Sequence, residues 1–135
     1  MAMSGSQTRL PRQLLISRAM ALVGAPVVIV GETARRWHQF GEPRMWPSIF
    51  DDYVIGIALV IGAAWVTREA RRGRVALGAA WGIAIGIGYS SVFGHMRSLD
   101  QADPSGLPHM VVFGVIAGLW LAAIVGLLLT VAARE

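Results

Sequence analysis

The sequence predicts an all-α protein, a transmembrane four-helix bundle, from its composition, its apolar runs and its glycine spacing. The 135 residues are 55% hydrophobic and 15% charged, and the mean hydropathy is +0.57, which is typical of membrane proteins. Four charge-poor runs approach the ~20 residues that a helix needs to cross a bilayer. Two of these runs carry small residues at every fourth position, as closely packed membrane helices do. We expect one integral membrane domain over residues 1–135.

The first two runs reach the spanning length only when their charged ends are included. Helix 1 is predicted over about residues 12–34, with the long side chain of Arg18 extending to the nearer membrane interface. Helix 2 is predicted over about residues 48–68. Ser48 follows Pro47 as a candidate N-cap, and Asp51 three residues later would complete a capping box.

The third and fourth runs are long enough without charged residues and are predicted as helices over about 74–94 and 107–132. Steps of four residues keep side chains on one slowly drifting stripe of a helix. We therefore expect these two helices to cross closely through glycines on both. The predicted packing residues are Gly78, Gly82, Gly86, Gly94, Gly114, Gly118 and Gly126.

The arginine distribution predicts the orientation in the membrane. Eight of the twelve arginines lie at the ends and in the connection assigned to one side, and four lie on the other. The positive-inside rule then places both termini in the cytoplasm, in a bacterial inner membrane. Because orientation accounts for the net charge of +4, we expect the lipid bilayer as a partner and no nucleic acid.

This orientation places all the histidines and most of the acidic residues at the extracytoplasmic side. In a compact bundle, the acids that flank helices 1 and 2 and the histidines that flank helices 3 and 4 would converge on one outward-facing pocket. The candidate ligand-binding residues are Glu32, His38, Asp51, Asp52, His95 and His109.

Each candidate also has a structural interpretation. Glu32 lies four residues before Arg36, the spacing of a helix surface ion pair. Asp51 and Asp52 open helix 2, where carboxylates stabilise the positive end of the helix dipole. They point ~100° apart, so both cannot serve one small site. His95 follows Gly94 at a predicted helix C-terminus, where an imidazole is favoured.

A metal site is one use of the pocket. His95, His109 and Asp51 would supply two imidazoles and one carboxylate, a ligand set that suits a divalent metal ion. No H-x-x-x-H or H-E-x-x-H spacing supports it. Haem held by the two histidines ranks lower, because the glycine faces would have to separate to admit the macrocycle. The absence of cysteine excludes thiolate ligands and disulfides.

The functional prediction has two branches. No nucleophile elbow or phosphate-binding loop is present, so enzymatic activity is less expected and no catalytic residue is assigned. The first branch is action through helix association, as a homo-oligomer or as an accessory subunit of a membrane complex. The second is binding of a metal or small polar ligand at the extracytoplasmic pocket, for transport or metal-assisted chemistry.

Overall fold

A computed structural model describes residues 10–133, and this part of the chain contains four long helices and no strand. The helices are α1 (Arg12–Arg36), α2 (Trp46–Arg68), α3 (Ala70–Met96) and α4 (His109–Ala132). Short 3-10 helices, Trp37–Gln39 and Pro43–Met45, connect α1 to α2. Each long helix lies in a segment apolar and long enough to cross a membrane. The predicted all-α class and the four candidate spans are confirmed.

The helices pack in chain order around a ring. Each helix contacts the next, and α4 returns to contact α1. One end of the bundle, here called the polar end, is formed by the C-termini of α1 and α3 and the N-termini of α2 and α4. The basic residues Arg71 and Arg74 lie at the opposite end. Arg9 and Arg134, which entered the orientation prediction, lie outside the described residues.

Several helix boundaries lie a few residues from the predicted ones, and two of these differences change the local structure. The expected connection between the second and third helices is reduced to Glu69, which is extended and donates its backbone N–H to the Trp65 carbonyl. Helix α2 begins at Trp46, and Ser48 makes no capping hydrogen bond. The capping-box prediction is wrong because α2 begins before Ser48, which therefore lies inside the first turn, where its hydroxyl accepts a hydrogen bond from Arg36.

The closest backbone approach lies between α2 and α3. A Cβ added to Gly62 would lie 2.8 Å from the Cα of Leu77, and one added to Gly73 would overlap the backbone of Val66. Only glycine allows the two helices to approach this closely. The one-residue connection at Glu69 therefore folds into a tight helical hairpin.

The glycine ladders do not form the predicted interface along their length. Gly78 faces α4, because a Cβ added to it would lie 3.7 Å from Thr130 Cγ2. Gly126 packs against the Trp81 indole. The other five predicted packing glycines meet open space within this chain and are exposed: Gly82, Gly86, Gly94, Gly114 and Gly118. Each four-residue step rotates the stripe by ~40°, so it leaves the α3 and α4 contact after about one step. Within this chain, these five residues do not form the predicted contact between α3 and α4.

Hydrogen bonds join α1, α3 and α4 in the half of the bundle away from the polar end. The Ser17 hydroxyl donates to the Gly126 carbonyl at 2.9 Å and accepts from the Trp81 indole at 2.8 Å. Thr130 Oγ1 lies 2.7 Å from the same hydroxyl. All these side chains are buried. Since a buried polar group is stable only when paired, this cluster specifies the packing of α1 against α4.

Gly73→Ala tests the α2 and α3 contact, with Gly82→Ala as its matched control on the same helix. The new methyl group at position 73 would overlap the Val66 backbone, so we expect the free energy of unfolding to fall by about 1–3 kcal/mol. At position 82 it meets open space, and helix propensity predicts no loss and a gain of up to about 1 kcal/mol. Unfolding in mixed micelles, followed by circular dichroism, measures both. Equal effects would contradict the assignment of the close contact.

Candidate functional site

A cavity of about 500 Å³ lies between the helices and reaches the polar end. All four helices contribute to it, and apolar side chains form most of its wall. These include Met20, Val28, Leu59, Trp81, Ala84 and Trp120. Polar side chains are confined to one end of the cavity, which gives it an apolar body and a polar mouth. They are Glu32, Arg35, Arg36, Ser48, Asp51, Asp52, Ser91, His95 and Ser105.

Small residues on α1 keep the cavity open. Gly24 and Gly31 both line it, and a Cβ added to either would meet nothing within 4 Å. Trp120 forms part of the wall from α4, where its indole donates to the Ile85 carbonyl at 3.0 Å. Gly88 accommodates this indole, because a Cβ there would lie 2.8 Å from Trp120 Cδ1. A large side chain on α4 is thus held against α3 while the α1 side of the cavity stays unfilled.

Arg35 joins three parts of the polar end. Its guanidinium lies 3.2 Å from Glu32 on the same helix and 3.1 Å from Asp103 in the connection between α3 and α4. Its Nη1 also lies 3.3 Å from His95 Nε2. The side chains of Arg35 and Asp103 are 12% and 1% exposed. This ion pair is therefore shielded from water, and removing one partner would leave a buried charge unpaired.

Arg36 forms a second contact set, directed toward α2. Its Nε donates to Glu32 at 2.9 Å and its Nη1 donates to the Ser48 hydroxyl at 2.8 Å. The predicted i,i+4 pair between Glu32 and Arg36 is present, but it is largely buried and belongs to the site. Glu32 thus accepts from both arginines, and the two guanidinium groups are engaged by groups of the protein itself.

The Asp103 carboxylate is held in its ionised form. Burial raises the pKa of this group, but hydrogen bonds from the hydroxyl and backbone N–H of Ser105, with the charge of Arg35, outweigh burial and lower the pKa below its ordinary value. Asp103 therefore anchors the connection between α3 and α4 to α1 as a charged group.

The two helix-flanking histidines pack against each other, with ring centroids 5.3 Å apart. His95 Nδ1 lies 2.9 Å from the Ser91 carbonyl. A carbonyl only accepts and a guanidinium only donates, so Nδ1–H donates to Ser91 and Nε2 accepts from Arg35. Both nitrogens of His95 are thus engaged. Both ring nitrogens of His109 are buried without a hydrogen-bonding partner among residues 10–133.

Most of the candidates from the sequence lie at this polar mouth. The structure brings Glu32, Asp51, Asp52 and His95 to the cavity and places His109 against His95. His38 is exposed in the first 3-10 helix and does not line the cavity. Within residues 10–133, no three histidine or acidic side chains are grouped to hold a metal ion. The predicted set of His95, His109 and Asp51 is therefore not assembled, and neither ring nitrogen of His95 is free to ligate haem.

The sequence prediction did not place the two arginines or Asp103 in the site. Arg35 served only as a marker of orientation, and Arg36 served as a marker of orientation and as the surface ion-pair partner of Glu32. The available signal was their spacing: they lie three and four residues after Glu32, so both can reach its carboxylate on one helix face. No pattern pointed to Asp103, because its contact with Arg35 depends on how the connection between α3 and α4 folds back.

Comparisons with protein-family models, with curated proteins and with solved structures give no significant match. The fold and the site nonetheless define a class: a small multi-pass helical membrane protein with an interhelical cavity that is apolar in its body and ionic at its mouth.

Asp103→Asn tests the ionic anchor through pH. Because the pKa of Asp103 is lower in the folded than in the unfolded protein, its ionised form stabilises the fold above the unfolded pKa, and this contribution is lost as pH falls through the folded pKa. We expect the free energy of unfolding to fall on acidification below about pH 4, and the substitution to reduce that dependence. It should also destabilise the neutral-pH protein by about 1–3 kcal/mol.

Asp100→Asn is the matched control, because Asp100 is an exposed residue of the same connection. Micelle unfolding at a series of pH values measures all three proteins. If the free energy of unfolding depended on pH in the same way for the unsubstituted protein and for Asp103→Asn, the proposed role of Asp103 as an ionic anchor would be wrong.

Proposed function

We propose that this protein binds a small amphipathic ligand inside the bundle, with the apolar part in the cavity and the polar part at the mouth. The observation that carries the proposal is the cavity itself: about 500 Å³, with a largely apolar wall and charged groups gathered at one end. Ligand sites have volumes of roughly 300–1,000 Å³ and combine apolar walls with a few placed polar groups.

The arrangement favours an amphipathic ligand over the metal ion or purely polar ligand considered from the sequence. A metal ion would need ligands that are grouped and free, whereas His95 and Glu32 are already hydrogen-bonded. A purely polar ligand would leave the apolar wall beside Trp81 and Leu59 unused. Arginine asymmetry supports an orientation with the polar end outside the cytoplasm, so we place the mouth at the extracytoplasmic side of a bacterial inner membrane.

Association with other membrane helices is the second candidate, and one observation favours it. The exposed glycines of α3 and α4 leave helix backbone uncovered at Gly82, Gly86, Gly114 and Gly118. Small residues at four-residue spacing let helices of separate chains approach closely in a bilayer. A homo-oligomer, or a role as an accessory subunit, would cover these faces.

Two substitutions separate the candidates and serve as each other's control. Gly24→Leu places a side chain in the cavity, whereas Gly82→Leu places the same side chain on the outside of α3. Trp81 and Trp120 line the cavity. The bromine atom of 11-bromoundecanol quenches indole fluorescence, so this probe should quench both tryptophans when it is bound. The other three tryptophans are replaced by Phe for this measurement.

We expect saturable quenching in lipid nanodiscs for the unsubstituted protein and for Gly82→Leu, with a loss of at least about tenfold in affinity for Gly24→Leu. Gly31→Leu fills the cavity nearer its mouth and should behave like Gly24→Leu. Linear, unsaturable quenching in every protein would refute the cavity as a binding site. A change of oligomeric mass with Gly82→Leu alone would instead support association.

A further inference from the structure

We infer that the ligand enters the cavity sideways from the bilayer, between α1 and α4, and carries a hydrogen-bond-donating or cationic head that binds Asp52. This inference rests on the proposed ligand-binding function and adds the source of the ligand and the chemistry of its head.

The entry route follows from which cavity-lining side chains are also exposed. On α1, Val27 lines the cavity and is 47% exposed, and on α4, Val111 and Val115 line it and are 51% and 56% exposed. The wall residues Ile55 and Leu59 of α2 are buried. A side chain that faces both the cavity and the outside marks an opening, and these openings lie on α1 and α4.

The packing of α1 against α4 is also uneven along its length. It is the least extensive of the four contacts between neighbouring helices. Side-chain hydrogen bonds join the two helices at Ser17, Gly126 and Thr130, away from the polar end. Toward the polar end, Gly24 and Gly31 leave space on α1. The helices are thus fastened at one end and separated along the cavity, within segments long and apolar enough to span a membrane.

An opening between two membrane-spanning segments faces acyl chains. It therefore admits molecules that partition into the bilayer. A single hydrocarbon chain can pass from the lipid into the apolar body of the cavity without losing its apolar surroundings. The charged head then reaches the polar mouth at the membrane interface. A ligand dissolved in water would gain nothing from this side opening.

The head chemistry follows from which groups at the mouth are already paired. Arg35 and Arg36 are bound to Glu32, Asp103 and Ser48. Asp51 and Asp52 both line the cavity without a side-chain hydrogen-bonding or ion-pair partner among residues 10–133, and Asp52 is the less exposed of the two. A carboxyl group with free acceptor oxygens binds an amine or a hydroxyl group. An anionic head would have to compete with Glu32 and Asp103 for the guanidinium groups.

Three probes with the same brominated chain test the head: 11-bromoundecylamine, 11-bromoundecanol and 11-bromoundecanoic acid. We expect the affinities measured by tryptophan quenching to fall in that order. Asp52→Asn should weaken the amine probe about tenfold or more, while Asp100→Asn, which removes a charge that does not line the cavity, should have little effect. Tightest binding of the carboxylate, or an amine affinity unchanged by Asp52→Asn, would overturn the head assignment.

Val115→Phe tests the route without adding a tryptophan to the fluorescence signal, and Val125→Phe is its control. Val125 lies on the same helix, is 47% exposed and does not line the cavity. In stopped-flow mixing with nanodiscs that contain the amine probe, we expect Val115→Phe to slow the onset of quenching at least several-fold and Val125→Phe to leave it unchanged. Val27→Phe obstructs the same opening from α1 and should repeat the result.

The outcomes distinguish this inference from the proposed function. Saturable quenching whose rate is the same in all variants would mean that the probe enters through the aqueous mouth, which overturns the lateral route but keeps the binding site. If none of the three probes quenches saturably in the unsubstituted protein, the proposed function itself fails.

Discussion

The ion pair between Arg35 and the buried Asp103 is the interaction on which the polar end depends. Arg35 contacts Glu32 on α1, His95 on α3 and Asp103 in the connection between α3 and α4. Removing one partner of such a pair leaves the other charge buried and uncompensated. Arg35 therefore holds together three elements that surround the cavity mouth, while the helices below it remain apart.

Close packing elsewhere in the bundle explains why this space persists. Gly62 and Gly73 draw α2 against α3, and the Ser17 and Trp81 hydrogen bonds fasten α1 to α3 and α4 away from the polar end. With these contacts made, α1 and α4 stay apart toward the polar end, where Gly24 and Gly31 offer no side chains to fill the gap. The cavity is thus a consequence of where the small residues lie.

The sequence was sufficient for the class, the four spans and the gathering of Glu32, Asp52 and His95 at one end, because these follow from run lengths and from alternating helix directions. It did not show which face of each helix points into the bundle. Core and lipid are equally apolar, so nothing in the pattern showed that Gly82 and Gly118 turn outward. The roles of Arg35 and Asp103 arise from a contact between residues far apart in sequence, which no local spacing encodes.

We propose that an amphiphile occupies the space inside the bundle. Native mass spectrometry of the protein released from its membrane tests this proposal, with Gly24→Leu measured beside it. We expect a discrete bound mass on the unsubstituted protein that survives activation sufficient to strip bulk lipid, and its loss on Gly24→Leu. Bare masses for both proteins, or the same bound mass on both, would contradict it.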